Sequence, residues 1–157
     1  MIYTFTIPGR PRGKDRPRFA VRGKGDKRFV QTYTTKKTMA FEERVAQAAA
    51  PAMGNVVLDG AISVVVVLVF PRTNALKKVV KKTGLPKHQA VGLPHTVKPD
   101  ADNCCKAVLD GLKVWLKDQQ VWHLHVQKFY SDMVLEEGEW REKLPCTHVS
   151  LETTPRL

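Results

Sequence analysis

Polar and apolar positions alternate from the start of the chain. Tyr3, Phe5 and Ile7 fall on one side of an extended segment ending at Pro8, the period-two pattern of a strand, with Ile2 out of phase. Residues 37–50 switch to helical spacing, with Met39, Phe41, Val45, Ala46 and Ala49 on one face and Glu42, Glu43 and Arg44 outside; Pro51 is expected to end this helix. Residues 61–70, AISVVVVLVF, are rich in β-branched side chains and do not alternate, so they read as a central strand buried on both faces. Cys105, Val108, Leu109, Leu112, Trp115 and Leu116 give a second helix over about residues 103–116. Residues 121–130 alternate again, which predicts a strand with Trp122, Leu124 and Val126 inward and His123 and His125 outward. Residues 131–143 are polar and acidic, a turn or short helix, and residues 147–151 make the last strand before a loose tail at 155–157. The order strand, helix, strand, helix, strand, strand predicts a mixed sheet with helices packed against it, an α+β fold in one domain spanning residues 1–157.

Two stretches do not fit that alternation. Residues 9–37 form a basic loop broken by prolines and glycines into turns and short extended pieces. It carries Arg10, Arg12, Lys14, Arg16, Arg18, Arg22, Lys24, Lys27, Arg28, Lys36 and Lys37, opposed by Asp15 and Asp26 alone, with Phe19, Phe29 and Tyr33 interleaved. Guanidinium forks suit phosphate oxygens and aromatic rings can stack on exposed bases; a disordered arm that orders on DNA is compatible with the same composition. Residues 72–97 read as a basic insertion without an acid. Leu76, Val79 and Val80 suggest a short helix over 74–83 that presents Lys77, Lys78, Lys81 and Lys82 to backbone phosphates, with a solvated charged lid as the alternative.

Charge sharpens the picture. The chain has 26 Lys+Arg against 15 Asp+Glu, a formal +11, which points to a polyanionic partner. No secretory signal is visible and the longest apolar run is too short to span a bilayer, so a membrane role is not expected. Cys104, Cys105 and Cys146 include no C-x-x-C pair, consistent with a reduced, cytoplasmic protein without zinc or a disulfide framework.

The densest chemistry lies at residues 98–121, KPDADNCCKAVLDGLKVWLKDQQV. Asp100 and Asp102 lie two apart in an extended lead-in, so both carboxylates point to the same side as the helix begins. Asp102 is a natural N-cap, Lys106 stands one turn above it, and Asp118 follows the helix. Three carboxylates and a lysine suit a hard divalent cation and a phosphate. Capping and a surface ion pair with Asp102 or Asp110 are the bland alternatives. His88 and His95 are isolated, and the His123/His125 pair reads as an exposed polar face rather than a metal clip. Glu42 and Glu43 read as a solvated helix face.

This stretch resembles the signature of the RusA family of Holliday-junction resolvases, a K/R-x-D-x-D-N-x-x-K-x-x-x-D-x-L core followed by D-D-x-Q-V. The match falls on Asp100, Asp102, Asn103, Lys106, Asp110, Leu112, Asp118, Gln120 and Val121; Lys117 stands where the family has the first aspartate of its D-D pair. The stretch from Pro11 to Arg18, PRGKDRPR, is similar to a P-x-x-K-x-R-P-R element near the family's N-terminus, and Lys128 matches a lysine in the following strand. The resemblance implies a compact homodimer that resolves four-way DNA junctions in recombination and repair. It implies catalytic acids at Asp100, Asp102 and Asp118 holding Mg²⁺ (or Mn²⁺), and an essential lysine at Lys106. A junction- or fork-binding DNA protein without turnover is the rival from another class, and a metal nuclease acting on RNA shares the chemistry.

One distance poses a problem. A straight helix would separate Asp102 from Asp118 by roughly 24 Å, which no single cation spans. Either the helix breaks near Gly111 and folds back within one subunit, or a dimer partner supplies Asp118; the low cost of a mid-helix glycine tilts the reading toward the shared site.

Overall fold

The computed structural model describes residues 1–154; the tail expected at 155–157 lies outside the described residues. The elements run β1 (Ile2–Pro8), β2 (Arg18–Arg22), β3 (Phe29–Tyr33), α1 (Lys36–Met53), β4 (Ala61–Phe70), β5 (Val79–Val80), β6 (Leu85–Pro86), α2 (Ala101–Gly111), β7 (Val121–Tyr130), β8 (Met133–Glu136), β9 (Glu139–Glu142) and β10 (Cys146–Thr154). The main sheet has the order β1-β10-β4-β7, with β7 parallel to β4 and the other pairs antiparallel. Its strands and helices follow the expected order, and the architecture is α+β. Three two-stranded hairpins, β2–β3, β5–β6 and β8–β9, lie outside that sheet.

Only one face of the sheet is covered. Phe5, Ile7, Ile62, Val64, Val66, Leu68, Phe70, Val149 and Leu151 are buried under α1 and α2. The residues between them on β4, namely Ser63, Val65, Val67 and Val69, are only half-buried, so β4 is not enclosed on both faces as its unbroken apolar run suggests. Strand β7 is also less enclosed than expected. Leu124 and Val126 pair with Val64 and Val66 and share their face. At this edge of the sheet Leu124 is still 44% exposed, and Trp122, at a register shift, is 67% exposed.

Helix α1 begins at Thr35, whose hydroxyl accepts from the Thr38 N–H at 3.3 Å. Phe41, Val45, Ala49 and Met53 form its buried stripe. Pro51 does not end it: the helix runs one turn further and closes at Gly54, whose N–H donates to the Ala50 carbonyl at 2.8 Å. A proline in the last turn forfeits a single backbone hydrogen bond, and burial of Met53 holds the turn.

Helix α2 starts earlier and stops sooner than its apolar spacing predicts. Asp100, not Asp102, is the N-cap, and the helix ends at Gly111. Residues 112–115 turn instead, with the Trp115 N–H on the Leu112 carbonyl and the Trp115 indole on the Gly54 carbonyl. Gly111 is where α1 presses closest: a Cβ there would lie 2.6 Å from Val45 Cβ and 2.7 Å from the Glu42 carbonyl oxygen. Gly111→Ala should therefore destabilise the fold by about 1–3 kcal/mol, although alanine is the better helix former. Urea unfolding checks this, and an unchanged midpoint would show that the helices separate freely.

The segment 72–97 is not a basic helix. It is a turn followed by the β5–β6 hairpin, with Lys81 and Lys82 exposed at its tip. Residues 131–143 form the β8–β9 hairpin rather than a helix, its two-residue turn made by Glu137 and Gly138, both at positive φ. Arg72, only 3% exposed, ties the two hairpins together. Its guanidinium donates to the carbonyls of Ser131 (2.6 Å), Gln89 (2.8 Å) and Ala90 (2.8 Å), and its backbone N–H donates to Glu142. Glu142 also takes the Ser131 hydroxyl and pairs with Lys77. Burial pushes the Glu142 carboxyl up, but these donors outweigh it and the carboxyl ends below its ordinary range. Residues 90–95 run along the end of β7, with the His95 N–H on the Lys128 carbonyl and the Tyr130 N–H on the Leu93 carbonyl.

Candidate active site and nucleic-acid interface

The N-terminus of α2 and the basic loop are built into each other. The Lys14 N–H donates to the Asn103 carbonyl at 3.1 Å, and Asn103 Nδ2 donates back to the Lys14 carbonyl at 3.0 Å. Gly13 lies so close that a Cβ would meet Asn103 Nδ2 and Pro99 Cβ, each at 2.9 Å. The asparagine after the two aspartates thus fastens the loop to the first turn of α2, a role that spacing alone did not reveal. Beside this clamp a concavity of about 590 Å³ is lined by Lys14, Arg16, Lys98, Asp100, Asp102 and Asn103. It shares Lys14 with a neighbouring concavity that contains Arg10, Arg12 and Arg44. It shares Arg16 with a third that contains Arg18, Tyr33, Lys36 and Lys37. Together they form a basic track that leads to the paired aspartates. Arg44 and Lys98 join it without having been singled out from the sequence as DNA-binding residues.

Not every cation of the basic loop is free. Lys14 is drawn inward, hydrogen-bonded to Asp110 and 3.6 Å from Glu42. Its hydrogen bond to the Asp110 carboxylate holds the ammonium above the ordinary lysine range despite burial. This corrects two expectations: Lys14 is not free to bind phosphate, and Glu42 is not a solvated charge. Asp110 is the structural partner of Lys14. Arg12 bonds Asp15 at 3.0 Å, and the Thr35 hydroxyl followed by Arg12 holds the Asp15 carboxyl below its usual range. Lys77 is likewise engaged, with Glu142. Arg10, Arg16, Arg18, Arg22, Lys24, Lys27, Arg28, Lys78, Lys81 and Lys82 remain exposed.

Asp100, Asp102, Lys106 and Asp118 are all exposed, and none makes a side-chain hydrogen bond or ion pair among the described residues. The Asp100 side chain makes no capping bond, so capping does not explain it. Asp118 opens a 3-10 turn, Asp118–Gln120, pinned by Gln120: its amide donates to the Leu58 carbonyl at 3.0 Å and its side-chain oxygen accepts the Lys117 N–H at 2.7 Å. Between the end of α2 at Gly111 and Asp118 the chain turns, with the Trp115 N–H on the Leu112 carbonyl. Burial pushes the Cys105 thiol up to about 11, and the charges of both Asp102 and Asp118 add to the shift. Cys104 is pushed up to about 12, chiefly by burial, with Lys128 opposing and Asp100 and Asp102 reinforcing. Lys128, which donates to the Val97 carbonyl at 2.7 Å, thus faces the same neighbourhood.

Among the described residues no three His, Cys, Asp or Glu side chains lie close enough together to enclose a cation. The donor chemistry nonetheless fits a hard divalent ion, since the acids are oxygen donors, solvent-facing and unclaimed by the protein. His123 and His125 stand on the open face, as expected, with His123 Nδ1 2.9 Å from the Ser63 hydroxyl. His95 is buried and stacked on Phe70, their ring centroids 4.0 Å apart. No helix of the described residues is long and apolar enough to cross a membrane. In comparison with known proteins, a family model described as Endodeoxyribonuclease RusA matches residues 8–135, from the basic loop through β8. No curated protein matches the chain.

Proposed function

Because the chain belongs to the RusA family of endodeoxyribonucleases, we propose that its whole length forms one endonuclease domain that resolves four-way junctions in recombination and repair by hydrolysing a pair of phosphodiester bonds. The observation that carries this reading is the basic track that runs into the unpartnered Asp100 and Asp102. Arg10, Arg16 and Arg18 hold the DNA backbone along the track. Asp100, Asp102 and Asp118 would hold Mg²⁺ or Mn²⁺, which when bound supplies Lewis-acid stabilisation of the phosphoryl charge and activation of water. Lys106, one turn above Asp102 and free of protein partners, neutralises the phosphate or the leaving oxygen. That α2 ends at Gly111 rather than running straight on to Asp118 supports a site contained within one subunit. The test is nicking of a labelled four-way junction in Mg²⁺ against EDTA: metal-dependent nicks support the enzyme, and a gel shift without nicks supports a binding protein.

Binding to the DNA backbone has a salt signature. Neutralising Arg10, Arg16 and Arg18 should weaken binding to every DNA sequence and lower the log–log salt slope by roughly 0.9 for each phosphate that is no longer neutralised. Neutralising Arg12 should add less, because Asp15 already holds it. Filter-binding titrations over a range of salt concentrations measure the slope, and an unchanged slope would mean that the loop faces away from DNA.

Two symmetric nicks call for two sites, and the open sheet face suits a homodimer. Its residues on β1, β10, β4 and β7, among them Thr4, Thr6, Val65, Val67, His148 and Ser150, include no lysine or arginine, in a chain with 26. Two copies of so basic a protein meet at least cost through such a face. Val67→Arg should convert a dimer to a monomer in sedimentation equilibrium, since Val67 is half-buried in the single chain and each copy would press a cation on its mate. The same mass for both proteins would place the dimer interface elsewhere.

A further inference from the structure

The β2–β3 hairpin pairs with no other strand, and its register gives it two unlike faces. Arg18 stands opposite Tyr33, and Arg22 opposite Phe29, on one face. Phe19 opposite Thr32 and Val21 opposite Val30 make the other, which carries no charge. That second face is bare: Phe19 is 70% exposed, Val21 69% and Val30 63%. A lone two-stranded hairpin is marginally stable in water, so an uncovered apolar face on one calls for an occupant.

The surroundings indicate its chemistry. Arg16 and Arg18 flank the hairpin's root, and Lys24, Lys27 and Arg28 crowd its tip. Asp26 is the one acid between Arg16 and Lys37. Such a frame repels a second copy of this basic chain. It suits a polyanion that also offers apolar ring faces, which describes unstacked bases in DNA. The root lies on the basic track, where Arg18 and Tyr33 line the concavity that shares Arg16 with the aspartate pocket. Bases at a branch are the ones most cheaply unstacked, and apolar side chains inserted between bases are a known means of holding DNA bent or open.

We propose that the β2–β3 hairpin is a branch-point wedge, with its Phe19–Val21–Val30 face lying against bases unstacked at the centre of branched DNA while Arg18 and Arg22 hold flanking phosphates from its other face. The wedge rests on the branched-DNA reading above and specifies which residues tell a branch from a linear duplex.

The test compares wild type with Phe19→Thr/Val21→Thr, which keeps both charge and strand propensity. A four-way junction with 2-aminopurine beside its branch and a linear duplex serve as probes, in EDTA so that neither is cut. Wild type should prefer the junction and brighten the probe. The double variant should bind the duplex with unchanged affinity and salt slope, lose the brightening, and lose roughly tenfold or more of the junction preference. Val21→Thr/Val30→Thr should act in the same direction without altering Phe19, and circular dichroism confirms that each variant is folded. Unchanged preference and fluorescence in folded variants would overturn the wedge. A shift from dimer to monomer in the variants would overturn it too, by assigning the face to a second copy. A wild type that binds junction and duplex equally would remove the junction reading itself, and the wedge with it.

Discussion

Asp100→Asn, Asp102→Asn or Asp118→Asn is expected to lower junction cleavage by about a thousandfold or more while binding stays intact or tightens. On the reading proposed above, each change removes an anionic oxygen from the set that would hold the cation, and a cation's stabilisation of a phosphoryl transition state is worth several kcal/mol, at about 1.4 kcal/mol per tenfold in rate. Each also removes a negative charge beside the basic track, which favours DNA. The fold is expected to tolerate the changes, because all three side chains are exposed and unpartnered among the described residues. Lys106→Ala should likewise depress turnover far more than binding. Single-turnover cleavage and gel-shift titrations separate these effects, and wild-type turnover in any of the aspartate variants removes that residue from the site. Mixing Asp100→Asn with Asp118→Asn subunits should restore nothing, because a site within one subunit leaves both centres of the heterodimer broken. Recovery of nicking would mean that the partner supplies Asp118.

The largest effect on stability is expected at Arg72. Replacing it with methionine preserves bulk but removes the donors to the Ser131, Gln89 and Ala90 carbonyls and leaves Glu142 with less compensation. Removing one partner of a buried charged network typically costs about 3–5 kcal/mol, which for a chain of this size lowers Tm by about 10 °C. Arg72→Lys should recover little, since a single ammonium cannot reproduce the planar fork. Thermal and urea unfolding measure both variants, and a loss below about 1 kcal/mol would show that the two hairpins hold together without it.

Periodicity revealed the main sheet and both helices because burial against one face imposes a repeat, as in Phe41, Val45, Ala49 and Met53. It failed where the physics is not periodic. Leu76, Val79 and Val80 fit one turn of helix or a short strand equally well, and the docking of residues 72–97 through Arg72 decides between them. The Glu137–Gly138 turn lacks the Asn-Gly or Asp-Gly signal that announces such hairpins. Helix α2 carries apolar residues past Gly111 because they remain in the core after the helix has ended, so spacing overstated its length.

The chemistry of the candidate site was legible at the level of residue type. Asp100, Asp102, Lys106 and Asp118 stand exposed and unclaimed among the described residues, Asp100 and Asp102 at the start of α2, Lys106 one turn above Asp102, and Asp118 beyond the helix end. Which cations are free was not legible, because that depends on long-range pairing. Lys14 meets Asp110 and Glu42 across 96 and 28 positions of sequence, and no local signal separates it from Arg16. The role of Asn103 was hidden for the same reason, since its partner Lys14 lies on a distant loop.

Denaturing electrophoresis of an end-labelled four-way junction, with wild type and Asp102→Asn in Mg²⁺ and in EDTA, tests the central claim most directly. The account predicts paired nicks on opposed strands with wild type in Mg²⁺ alone, and none with the variant in either condition. A wild type that binds the junction yet leaves it uncut in Mg²⁺, or an Asp102→Asn variant that nicks at the wild-type rate, would contradict it.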